Sequence, residues 1–134
     1  MGAEIKIYNP DGIAKPLGKY SHCARVKGGE TLYIAGQVGV DTDGKLAEGL
    51  EAQVRQTFAN LQAALGSAGA EFANVVKFTT YLVDAADIPG YMSAREAVFP
   101  EIFPAGVYPP NTLVVCAGLV KPEILIEIEA VAAI

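Results

Sequence analysis

The chain has 134 residues, 51% of them hydrophobic and 19% charged, and ten Lys and Arg against fifteen Asp and Glu leave a net charge of −5. That length suits one domain, residues 1–134, and the apolar content excludes a disordered chain. The cations stand singly from Lys6 to Lys121, which excludes a groove tracking a phosphate backbone, so no nucleic-acid partner is expected.

A mean hydropathy of +0.31 is high for a small domain, and it predicts that self-association covers part of the surface. No apolar stretch reaches the roughly 18 residues of a membrane span. The opening "MGAEIKIYNP" reads neither as a secretion signal nor as a myristoylation site, so a cytoplasmic location and no membrane partner are expected. Cys23 and Cys116 lack CxxC spacing and are expected to be buried free thiols.

"EIKIY" alternates as a short opening strand, and "NPDGIAKPLGKY" is loop. "SHCARVKGGETLYIAGQVGVD" reads as a hairpin, two β-prone runs joined at Gly28-Gly29. "DTDG" at 41–44 is a tight turn; the further ligand positions of a calcium loop are missing. From Gly49 to Ala70 the period becomes helical. Leu50, Val54, Phe58, Leu61 and Leu65 make the apolar stripe, and Gln53, Gln56 and Asn60 are among the polar residues assigned to other faces. "NVVKFTTYLVD" follows as a strand. "AADIPGYMSAREAVFPEIF" is a second helix, begun near Pro89 and closed by Pro100. "NTLVVCAGL" and "EILIEIEAVAAI" are the last strands. The order β-β-β-α-β-α-β-β predicts an α+β fold, a mixed sheet with two helices on one face. The strands are apolar on both faces, so a neighbouring subunit is expected to cover the other.

"GKY" at 18–20, "LYIAGQVGVD" at 32–41, "AQVRQTFANLQAAL", "NVVKFTTYLVD", "PPNTLVVCAGL" and "ILIEIEAVA" together resemble the RidA/YjgF family of reactive-intermediate deaminases, from about Tyr8 to Ala132. Pro109, Pro110, Val114, Ala117, Leu119 and Ile126-Glu127-Ile128 fit the family's C-terminal signature and its spacing. The resemblance implies a chorismate-mutase-like fold and a homotrimer with a central barrel. It also implies small-molecule clefts between subunits, where water hydrolyses an enamine or imine to a keto acid and ammonia without a cofactor.

Residue by residue, the resemblance makes Tyr20 the loop tyrosine and Glu127 the carboxylate that positions or activates water; these are the catalytic candidates. The substrate-binding positions fall at Ala35 and Gly36, at Met92 on the second helix, and at Asn111 and Leu113. The family's small residue before Gly-Gln, often Ser, is Ala35 here, and its helix Asn is Met92. The arginine that grips the substrate carboxylate is Asn111, and a nearby cysteine is Leu113. Lys19, where members often carry proline, is a candidate source of positive charge at the cleft mouth.

Each candidate also has a plain structural role. Tyr20 can cover a sheet edge, Glu127 can sit on an exposed strand, and Asn111 suits a turn after two prolines. His22, the only histidine, makes no metal site alone, and no metal is expected. Arg95 reads as a surface ion-pair partner on its helix, with reach to a neighbouring subunit as the alternative. The expected function is hydrolysis of a small imine or enamine with altered substrate choice and little activity on 2-aminoacrylate-type imino acids. The alternative is a non-catalytic trimeric binder of small molecules. A ribonuclease role ranks last, since an acidic chain with one histidine offers neither basic groove nor acid–base pair.

Overall fold

In the computed structural model, which describes residues 2–134, the elements follow the expected order. These are β1 (Glu4–Tyr8), β2 (Cys23–Lys27), β3 (Thr31–Gln37), α1 (Leu50–Ser67), β4 (Val75–Leu82), α2 (Ile88–Ile102), β5 (Asn111–Val115) and β6 (Ile126–Ala133). A four-stranded mixed sheet runs β3-β6-β4-β5, and β1 and β2 make a separate two-stranded sheet. β4 and β5 are parallel because α2 carries the chain back across the sheet between them; the other neighbours are antiparallel.

The stripe read from α1 is the core stripe. Val54, Phe58, Leu61 and Leu65 are buried against Phe78, Phe99, Ile126 and Ile128. Phe58, Phe72, Phe78, Phe99, Phe103 and Tyr108 add a network of mostly edge-to-face rings with centroids 5.1 to 6.3 Å apart. β6 alternates as its sequence requires: Ile126, Ile128, Ala130 and Ala132 face the helices, and Glu127, Glu129 and Val131 face away. The away face carries Tyr33, 78% exposed, and Val114 beside those carboxylates.

Three local readings are corrected. The hairpin at Gly28-Gly29 does not form as a ladder: β2 pairs with β1, and β3 pairs with β6. Both glycines have positive φ, as a tight turn needs, but a Cβ on Gly29 would overlap the Ile134 carbonyl and Ala3. Glu30 and Ile134 exchange both backbone hydrogen bonds at 2.9 Å, which takes the chain out of the small sheet and starts β3 along β6. Pro100 lies within α2 rather than closing it. Its missing N–H removes one helical bond, and the helix runs on two residues further to Ile102.

Gln53 is buried on the core side of α1, not on an outer face. Its Nε2 donates to the Ala47 and Glu123 carbonyls at 3.2 and 3.0 Å, and its Oε1 accepts from the Leu125 N–H at 2.9 Å. These bonds fix the segment entering β6, two residues before Glu127. Gln53→Leu strips partners from one N–H and two carbonyls. We expect about 2–4 kcal/mol of lost stability by urea denaturation, and a loss below about 0.5 kcal/mol would show that water replaces the amide.

Candidate functional site

β3 carries a bulge between Ile34 and Gln37, which places Ala35 and Gly36 in an irregular, exposed stretch beside β6. The Glu127 side chain lies directly on Gly36. A Cβ there would overlap Oε2 and stand 2.6 Å from Cδ, so only glycine lets the carboxylate occupy this position. Opposite Glu127 in the ladder is Tyr81, whose hydroxyl donates to Glu129 Oε1 at 2.6 Å. That bond, then burial and the nearby charges of Glu129 and Glu127, hold the Tyr81 pKa above its ordinary value. The phenol therefore stays neutral and keeps donating, and Glu127 is left as the carboxylate over the bulge.

Asn111 opens β5 in register with Phe78, so it shares the helix-facing side of the sheet, opposite Glu127. Its Oδ1 accepts from the Thr80 hydroxyl at 3.1 Å, and Thr80 is fully buried. Leu113 lies on the same side as Asn111, and Leu113 and Met92 both pack against the core.

The 18–21 loop runs between α2 and the segment before β5. Lys19 Nζ meets Glu96 at 2.6 Å, and the Ser21 N–H donates to the Pro109 carbonyl at 3.4 Å. The Glu96 hydrogen bond is the main cause of a raised Lys19 pKa, so the ammonium is charged but already engaged. Tyr20 Oη accepts from the Leu17 N–H at 3.3 Å, which leaves its hydrogen free to donate. Tyr20 lines a cavity of about 570 Å³ walled by the 9–18 loop. His22 is structural: Nε2 lies 2.7 Å from the Ala14 carbonyl, and its ring meets Tyr20 edge-on.

One chain thus carries two groups of candidates. Ala35, Gly36 and Glu127 gather on the uncovered face. Lys19, Tyr20, Met92, Asn111 and Leu113 gather around α2 and the start of β5. Thr80 was not foreseen, although an inward threonine between Phe78 and Leu82 in "FTTYL" was a signal. Arg95 is a correction: it is not a surface ion-pair partner but 5% exposed, with no ion-pair partner among the described residues. Among those residues no cluster of three His, Cys, Asp or Glu could hold a metal ion, and no helix is long and apolar enough to cross a membrane.

Two helices on one face of a mixed sheet, with polar groups at a strand bulge and a strand end, define a small α+β protein. The sequence profile of the family described as endoribonuclease L-PSP matches residues 12–134. The chain belongs to this family, that of RidA and YjgF. A RutC family protein of Pyrococcus horikoshii is 36% identical over 124 residues, covering 91% of this chain and 92% of that protein. The human 2-iminobutanoate/2-iminopropanoate deaminase is 36% identical over 118 residues, 87% of this chain and 80% of that one. The crystal structure of YyfB, a Rid-family protein of Yersinia pestis, superposes with a TM-score of 0.83 at 34% identity, over 97% of this chain and 98% of that one. Escherichia coli YjgF gives 0.71 at 29% identity, over 96% and 98%.

Proposed function

We propose that this protein hydrolyses the C=N bond of a small imine in clefts between the subunits of a homotrimer. Water adds to the imine carbon as Glu127 takes its proton. Glu127 returns that proton to the imine nitrogen. The hydroxyl proton of the adduct then passes to the same nitrogen, ammonia leaves and a carbonyl remains, while the Tyr20 hydroxyl donates to the bound molecule. The observation that carries this reading is the Glu127 carboxylate lying on Gly36, in the space any side chain would fill. Relatives named as 2-iminobutanoate/2-iminopropanoate deaminases supply the reaction class. Asn111, neutral and bonded to Thr80, makes 2-aminoacrylate-type imino acids poor substrates.

That same Asn111–Thr80 bond favours a second reading, a trimeric binder without turnover. The test is a coupled ammonia assay with 2-aminoacrylate generated from serine, extended to imines with other substituents. Slow release on 2-aminoacrylate and faster release on another imine supports the hydrolase. Binding without release of ammonia from any imine supports the binder.

The assembly has its own test. The face of Tyr33, Val114 and Val131 has no covering element among the described residues, and a homotrimer would bury it. Light scattering at micromolar concentration is expected to give three times the 14.0 kDa chain mass. A mass of one chain overturns the intersubunit cleft.

A further inference from the structure

The most conspicuous unused group is Arg95. Its guanidinium is permanently charged, yet the residue is 5% exposed and meets no carboxylate among the described residues. It lies 5.5 Å from the Tyr91 ring centroid and 5.4 Å from that of Phe99, faces that attract a cation but leave its Nε–H without an acceptor. Among the described residues two buried side-chain polar atoms have no partner, Arg95 Nε and the hydroxyl of the fully buried Tyr91, one helical turn away. Both carry hydrogens to donate. What the pair lacks is an acceptor, and beside a guanidinium the fitting acceptor is an anion.

The surroundings tie this pair to the Tyr20 group of site residues. Gly18 passes so close that a Cβ there would stand 3.1 Å from Arg95 Nη2, and the Lys19–Glu96 pair pins the loop against the next residue of α2. Tyr20 follows two residues after Gly18. On α2, Met92 precedes Arg95 by three residues and so shares its face of the helix. Gly18 and Tyr20 line one cavity, so a ligand there has a buried cation directly behind its Gly18 wall.

We infer that Arg95, assisted by the Tyr91 hydroxyl, holds the anionic group of the ligand, a carboxylate seated against α2 and not at Asn111. This deepens the reading above, on which it rests, because it names the group that receives the substrate's charged end. The substrate class is then a small imino acid whose carboxylate, unlike that of 2-aminoacrylate, is directed toward α2 and the Gly18 loop.

The experiment measures binding, not turnover. 2-Oxobutanoate and 4-oxopentanoate, which differ in the spacing of carbonyl and carboxylate, are each titrated against their methyl esters by calorimetry. Wild type is expected to bind at least one acid about tenfold or more tighter than its ester, and Arg95→Met to lose that preference. Arg95→Lys, which keeps charge without the fork, should retain part of it, and Tyr91→Phe should weaken it. Without ligand, Arg95→Met is expected to melt no lower than wild type, because it removes an unpaired buried charge.

Equal affinity of acids and esters for wild type overturns the inference. So does a preference that survives Arg95→Met, or dissociation of the wild-type assembly by Arg95→Met, which would make a partner subunit the source of the anion. If Arg95→Met does not fold, a full preference in Arg95→Lys and Tyr91→Phe alike overturns it. An Arg95-dependent acid preference with no ammonia release from any imine leaves the inference standing and sinks the hydrolase; release with no such preference does the reverse.

Discussion

Gly36→Ala is expected to cost about a hundredfold in kcat/KM for ammonia release while leaving the protein folded. The added methyl would stand 2.6 Å from Glu127 Cδ and 2.8 Å from Cγ, so the carboxylate must swing off the bulge. All of these atoms belong to the end of a flexible side chain on the uncovered face, and rotation relieves the clash cheaply. The melting temperature should therefore change little. Activity should not survive the same movement, because displacing a base by about 1 Å costs on the order of a hundredfold. Glu127→Gln keeps the shape and removes the basicity, with an expected loss of about 10²–10⁴-fold. The two variants should agree in direction, measured on whichever imine wild type turns over fastest. Full activity in Gly36→Ala would mean that the carboxylate does its work from another position, or does none.

The parts of this fold legible in the sequence are those fixed by local period. α1 announces itself through Leu50, Val54, Phe58, Leu61 and Leu65, and β6 through Glu127 and Glu129 alternating with apolar partners. The hairpin misreading has the same origin. Gly28-Gly29 is a valid local turn signal, but the partner of β3 is β6, about a hundred residues away, and only the closure of the sheet selects it. Polarity usually marks the solvent face, so the sequence alone points Gln53 and Arg95 outward. Gln53 is buried because three backbone groups meet it. For Arg95 no partner is found among the described residues, and that makes it informative.

Asn111 could be picked out from its position after Pro109-Pro110, but its state could not. The bond to Thr80 arises from the parallel pairing of β4 and β5, which depends on a crossover through all of α2. Gly36 and Glu127 show the same limit: a bulge in β3 and the register of β6 bring them together, and neither is a local property.

Asn111→Arg is expected to raise activity on 2-aminoacrylate and 2-iminobutanoate by roughly ten- to a hundredfold. The present side chain offers a short neutral amide, and its oxygen is already held by Thr80 at 3.1 Å. A guanidinium presents a charged fork that meets both oxygens of a carboxylate, and a charge-assisted bond of about 1.5–3 kcal/mol accounts for a gain of that size. The substitution also leaves the buried Thr80 hydroxyl without its acceptor, at about 1–3 kcal/mol of stability. Asn111→Arg alone should therefore melt lower than wild type, and Thr80→Val in the same chain should recover part of the loss without reducing the kinetic gain. Reading kcat and KM separately on both imino acids checks the argument, since a carboxylate grip formed equally in ground and transition states lowers KM more than it raises kcat. Robust wild-type turnover of 2-aminoacrylate, unimproved by the arginine in either background, would mean that Asn111 is a strand-opening turn residue and that the substrate acid binds elsewhere. Arg95, the buried cation beside the same loop, would then receive the carboxylate of 2-aminoacrylate as well.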